Sequence, residues 1–171
     1  ERYDFPEDCN IPMKKLIGNQ LELPQFATLM IRSSCVENYD GKFLGYRAND
    51  MILRIKCALL GDFHYINKNM SCYRRFTEHS WTVKEGKNKE KLCNNMKRTL
   101  GFFEKLNEYT EYKYNDVILF GIDEYNFKIA LLENNFKVAR KTKSFKKASF
   151  KQRCYITIGC VFPKLIAKLR K

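Results

Sequence analysis

The sequence predicts a mostly α-helical fold, a compact disulfide-stapled protein of about five or six helices. Three observations point there. Apolar residues recur at steps of three and four through 92–106 and 118–136. Seven cysteines are spread along 171 residues with no close pair, a pattern that suits staples better than a metal site. The regular series of turn-separated alternating runs that marks an all-β chain is missing. A hydrophobic fraction of 44% supplies a core and excludes a wholly disordered chain. The length fits a single domain; the polar turn Lys84-Glu85-Gly86-Lys87-Asn88 is where two helical subdomains would divide. No apolar run approaches the ~18 residues of a membrane span.

From the N-terminus, Pro6, Pro12 and Pro24 bias their preceding residues to extended backbone, so an irregular arm tied down by Cys9 is expected up to about Pro24. A helix from about Gln25 to Asn38 would gather Phe26, Leu29, Met30 and Ile31 on or near one face and end at Tyr39-Asp40-Gly41. Asn49 is a natural N-cap for a helix to Leu60, with Met51, Ile52, Ile55, Ala58 and Leu59 at helical spacing and Gly61 as its stop. Residues 61–87 are less regular and hold His64, His79 and the single tryptophan, Trp81. A stronger helix follows over roughly 89–109, on Leu92, Met96, Leu100, Phe103 and Leu106.

After Asn115, the alternation of Ile118, Phe120 and Ile122 suggests a strand. The longer series Ile118, Ile122, Tyr125, Ile129, Leu132, Phe136 steps by four and three over more residues than a strand holds. A helix is expected, capped by Asn115 or Asp116, with Gly121 costing ~1 kcal/mol relative to Ala. Two strands joined near 133–135 would instead make the fold α+β, or a lipocalin-like barrel. Ser144 would cap a segment running to about Ile156. Pro163 would open a short last helix with Leu165, Ile166 and Leu169 on one side and Lys164, Lys168, Arg170 and Lys171 on the other.

Charge is concentrated. Lys and Arg number 32 against 19 Asp and Glu, a net charge of +13. No acidic residue follows Glu133, and twelve bases lie between Lys137 and Lys171, so the rest of the chain is nearly balanced. The candidate binding surface is Lys137, Arg140, Lys141, Lys143, Lys146, Lys147, Lys151 and Arg153. Its sign favours polyanions, whether nucleic acid, anionic lipid or acidic polysaccharide. A solvated face that only aids solubility is the plainer reading.

The disulfide candidates are Cys9, Cys35, Cys57, Cys72, Cys93, Cys154 and Cys160. With only two histidines, a tetrahedral zinc site would need ligands scattered along the chain, so no metal and no cofactor are expected. Connectivity is not deducible. The odd thiol is free or joins two chains, giving a monomer or a disulfide-linked dimer. Asn69 in Asn69-Met70-Ser71 is a glycosylation candidate. The chain opens on Glu1 rather than Met, so any secretory leader has been removed or was never part of this chain.

No catalytic residues are expected. His64 and His79 sit in no recognisable acid–base motif, the glycines are scattered singly, and neither a nucleophile elbow nor an H-E-x-x-H pattern occurs. The adjacent carboxylates Asp123 and Glu124 point different ways on a helix and read as a solvated face. Tyr109, Tyr112 and Tyr114 beside Lys113 could stack bases or sugars; the simpler role is to cover the core edge with hydroxyls in water.

Two Cys-Tyr dipeptides, Cys72-Tyr73 and Cys154-Tyr155, are each followed by a further cysteine, Cys93 and Cys160, and Cys57, Tyr65, Cys72 is a related arrangement. Paired cysteine–tyrosine–cysteine motifs in a basic chain rich in Lys, Asn and Tyr resemble the bicycle proteins, secreted salivary effectors of gall-forming aphids. The resemblance covers Cys57–Cys93 and Cys154–Cys160. It implies an insect salivary protein delivered into plant tissue, where it alters host development. It carries over no catalytic residue; the cysteines would be staples and Tyr65, Tyr73 and Tyr155 their packing partners. The expected function is a secreted, non-enzymatic effector that binds a host protein or polyanion through its basic surface. The alternatives are a carrier of small apolar ligands, odorant-binding-like or lipocalin-like, and a basic nucleic-acid-binding protein.

Overall fold

The computed structural model describes residues 5–18, 28–37, 39–68, 70 and 88–162. Gln25, Phe26, Asn69, Cys72, Tyr73, His79, Trp81, the turn residues 84–87 and the helix expected from Pro163 lie outside the described residues.

The fold is mostly α. Seven helices stand among the described residues: α1 (Met13–Gly18), α2 (Asp50–Leu60), α3 (Lys89–Tyr109), α4 (Asn115–Leu132), α5 (Phe136–Lys141), α6 (Lys143–Lys147) and α7 (Phe150–Val161). Two small antiparallel ribbons accompany them. Strand β1 (Cys9–Ile11) pairs with β4 (Phe63–Tyr65), placing Cys9 opposite Tyr65, Asn10 opposite His64 and Ile11 opposite Phe63. Strands β2 (Lys42–Phe43) and β3 (Tyr46–Arg47) form a hairpin. Its two turn residues, Leu44 (φ 52°) and Gly45 (φ 81°), both lie in the left-handed region, as the right-handed twist of a two-residue hairpin demands. No barrel forms among the described residues.

The N-terminal stretch is part of the core rather than an irregular arm. The Pro12 carbonyl accepts from Lys15 N–H at 2.9 Å and starts α1, whose Leu16 and Ile17 are fully buried. The helix expected over Gln25–Asn38 is not formed where the chain is described: residues 33–35 make one 3₁₀ turn and Met30 is 98% exposed. Ile31-Arg32-Ser33-Ser34-Cys35-Val36 is rich in β-branched and hydroxyl side chains, which lose rotamer freedom in a helix or compete for its hydrogen bonds.

Helix α2 begins where expected, with Asn49 Oδ1 accepting from Ile52 N–H at 2.9 Å. Gly61 ends it in extended backbone (φ 178°), without the left-handed turn of a glycine stop. Helix α3 has the expected bounds, but its buried stripe is Cys93, Thr99, Phe102, Phe103, Leu106 and Asn107; Leu92, Met96 and Leu100 are half-buried on its flank. Helix α4 replaces the alternative pair of strands. Neither Asn115 nor Asp116 caps it. Tyr114 holds the cap position without a side-chain bond, Asn115 Oδ1 accepts from Asn107 Nδ2 at 2.8 Å, and Asp116 pairs with Lys14 at 2.7 Å. Phe136 opens the next helix. Ser144 caps nothing: it is buried inside α6, and the caps of the basic region are Thr142 and Ser149.

Helices α3 and α4 form a helical hairpin closed by the turn at 110–114. Ile17, Ile52, Ile55, Phe102, Phe103, Leu106 and Ile118 make the first apolar cluster, joining α1 and α2 to that hairpin. Phe127, Ala130, Phe136, Ala139 and Ile156 make a second, where α5 and α7 pack on the end of α4. Helix α4 is apolar on several sides because it serves both.

Candidate functional site

The eight candidate cations lie on three consecutive short helices, and all eight are exposed. Each helix starts with a side-chain cap. Asn135 Oδ1 accepts from Val138 N–H at 3.3 Å for α5, Thr142 Oγ1 from Phe145 N–H at 3.3 Å for α6, and Ser149 Oγ from Gln152 N–H at 3.3 Å for α7. Thr142 also closes α5 by donating its hydroxyl to the Ala139 carbonyl at 2.7 Å. The inward side of the unit is Phe136, Ala139, Ser144, Ile156 and Gly159, which leaves the bases pointing outward. Arg140 and Lys141 end α5 and Lys146 and Lys147 end α6, where a cation meets the negative end of the helix dipole.

Asp123 is the acid that anchors this face. It is not the solvated charge expected from its place beside Glu124. From α4 its carboxylate accepts from Lys143 N–H (2.8 Å), Ser144 N–H (2.7 Å) and Ser144 Oγ–H (2.6 Å), holding the start of α6 against the bundle. Burial pushes this carboxyl upward, but the hydrogen bonds from Ser144 and Lys143 outweigh it and leave the group below its ordinary value. No local pattern announces this bond, because the partners are 20 and 21 residues apart. With Asp123 so engaged, none of the eight bases forms an ion pair among the described residues. Lys147 Nζ sits 4.0 Å above the Phe120 ring, a cation–π contact that seats α6 on α4.

The six described cysteines, Cys9, Cys35, Cys57, Cys93, Cys154 and Cys160, are free thiols. Cys154 and Cys160 share α7. Six residues of helix separate them by about 9 Å along the axis, beyond the reach of one disulfide. Cys35 and Cys57 lie together. Lys56 Nζ donates to the Cys35 carbonyl at 2.5 Å and stands 4.8 Å from the Tyr39 ring, so the segment around Cys35 lies against α2. Burial, with the neighbouring Cys35 thiol, pushes the Cys57 thiol up. Cys93 donates its S–H to Glu133 Oε1 at 3.3 Å, and Lys97 pairs with the same oxygen at 2.7 Å, beside an open depression of about 300 Å³. Sequence reasoning missed this group. Burial and the Glu133 bond raise the Cys93 thiol and keep it protonated, the opposite of an activated nucleophile.

Tyr65 faces Cys9 across the ribbon, with its ring 5.0 Å from Phe5. Tyr155 packs edge-on against Phe136 at 5.5 Å, on the helix that carries Cys154 and Cys160. His64 Nδ1 lies 2.7 Å from its cross-strand neighbour Asn10 Oδ1, at the exposed surface. Of the tyrosine group, Tyr109 and Tyr112 are exposed, Tyr109 lies edge-on to Phe43 at 5.7 Å, and Lys113 Nζ is 5.4 Å from the Tyr114 ring. A second open depression, of about 310 Å³, lies between β1, α1 and Phe63. Among the described residues no group of His, Cys, Asp and Glu is placed to hold a metal, and no helix is long and apolar enough to cross a membrane.

No family model, no curated protein and no solved structure matches this chain.

Proposed function

We propose that this is a secreted, non-enzymatic binding protein, an effector that engages an acidic host partner through the basic face of α5–α7. The supporting observation is the set of eight exposed cations between Lys137 and Arg153 with no ion-pair partner among the described residues. Unpaired cations held on capped, packed helices attract a polyanion without first breaking internal pairs. The two depressions described among these residues are open to solvent, which does not favour a carrier. The paired Cys-Tyr motifs and their likeness to the bicycle proteins support secretion and action on a host.

Heparin serves as a probe of the face. The variant Lys143→Glu, Lys146→Glu, Lys151→Glu, Arg153→Glu spares Lys147, whose ammonium the fold uses, and is expected to elute from a heparin column at far lower salt. Unchanged elution would remove the basic face from the proposal. Export is tested separately, by intact mass after alkylation with and without reductant. The neighbouring Cys35 and Cys57 are thiols in this structure; on protein taken from an oxidising compartment they are expected to be joined as a disulfide and to stay unmodified until reduced. Seven thiols reacting at once would speak for a reducing compartment and against secretion.

A further inference from the structure

Helix α7 carries a second feature beside its cations. At about 100° of rotation per residue, Phe150, Cys154, Ile158 and Val161 fall within one arc of about 80°. Ile156 and Gly159, the buried residues of this helix, lie on the opposite side. The arc faces water: Phe150 is 76% exposed, Ile158 43% and Val161 62%, and Phe162, next in the chain, is 59% exposed. Lys151 borders the arc on one side and Arg153 on the other, both exposed.

Single exposed apolar side chains are ordinary, but a row of them along one helix, edged by cations, is not. A soluble polyanion would use the cations and gain nothing from Phe, Ile and Val, whose transfer out of water needs an apolar medium. A lipid surface offers both. Its headgroup phosphates lie level with the cations, and the acyl boundary lies just below them for the apolar arc. The lack of any acid after Glu133 means that no negative side chain on α5, α6 or α7 opposes such a surface.

We infer that α7 is an interfacial anchor that lies flat on an anionic bilayer. Phe150, Ile158 and Val161 enter the headgroup boundary, and Lys151 and Arg153 rest among the phosphates. The inference rests on the basic-face proposal and names its partner.

The test is co-sedimentation of the full chain with phosphatidylcholine vesicles, alone and with phosphatidylserine as the minority lipid. Binding is expected to the mixed vesicles only, and to weaken as salt is added. Phe150→Ser with Val161→Ser removes the two most exposed side chains of the arc and leaves the buried side of α7 untouched. This variant should keep its helical circular dichroism and its elution from heparin, while its partitioning to mixed vesicles falls about tenfold or more. Equal vesicle binding by variant and parent would overturn the anchor. So would heparin binding without vesicle binding, which leaves the basic face standing and points to a soluble acidic partner. Loss of both heparin and vesicle binding in the parent would sink both proposals together.

Discussion

The first apolar cluster takes Ile17 from α1, Ile52 and Ile55 from α2, Phe102, Phe103 and Leu106 from α3, and Ile118 from α4. The second takes Phe127 and Ala130 from α4, Phe136 and Ala139 from α5, and Ile156 from α7. One closes the chain over a long sequence distance, and its rim carries the Lys14–Asp116 pair. The other is assembled within thirty residues and lies under eight unpaired cations. Contacts drawn from distant segments hold the molecule together; a locally built platform can carry repelling charge because little else depends on it. The second cluster should therefore open at a lower free energy than the first.

The largest effect expected from this contrast is at Phe102. It is fully buried and meets the rings of Phe43, Tyr46 and Phe103. Phe102→Ala should cost about 3–5 kcal/mol, a large share of a typical domain's stability, seen as a lower urea midpoint for the whole chain. A midpoint shift confined to probes on α5–α7 would contradict the division of labour. Gly159→Ala tests the other cluster. A Cβ at this position would meet the Phe136 ring at 2.5 Å. The ring must move, at a cost of about 1–3 kcal/mol. Amide exchange should quicken across α5–α7 while α2 and α3 keep their protection.

Asp123→Asn should give the smallest effect, about 1 kcal/mol, through a weakened anchor for α6. The Asp123 carboxyl lies below its ordinary value in the folded protein, so its contribution is complete above the ordinary carboxylate range. It is lost as pH falls from that range through the lower folded value. Thermal melts of parent and variant should thus differ at neutral pH and converge in acid. A constant difference at every pH would mean that the carboxylate charge is not what fastens α6.

Much of the helical frame was legible because its signals are local. The Asn49 cap, the spacing through α3 and the long series through α4 each lie within a few turns of chain. What escaped is set by distant partners. Six residues are too few to show a period, so α1 is invisible until Leu16 and Ile17 are seen under the bundle. The apolar residues Leu29, Met30 and Ile31 suggest a helix, but residues 29–32 form none: Leu29 and Ile31 are half-buried and Met30 is exposed. The eight bases were found from charge alone, since exposure follows from the absence of acids to pair with. Asp123 was misread for the converse reason: its partners come from another helix.

The turn between α3 and α4 bears on the order in which the chain assembles. Tyr112 N–H reaches back to the Asn107 carbonyl at 2.9 Å, while Glu111 and Tyr112 take left-handed backbone (φ 49° and 60°) and the hydrogen bond from Asn107 Nδ2 to Asn115 Oδ1 spans the corner. Few residues need ordering before the two longest helices meet, so the entropy of loop closure is small. This hairpin is the natural nucleus, with α1 and the β1–β4 ribbon docking afterwards. A lesion at Phe103 should then slow folding, and one at Leu16 should chiefly hasten unfolding.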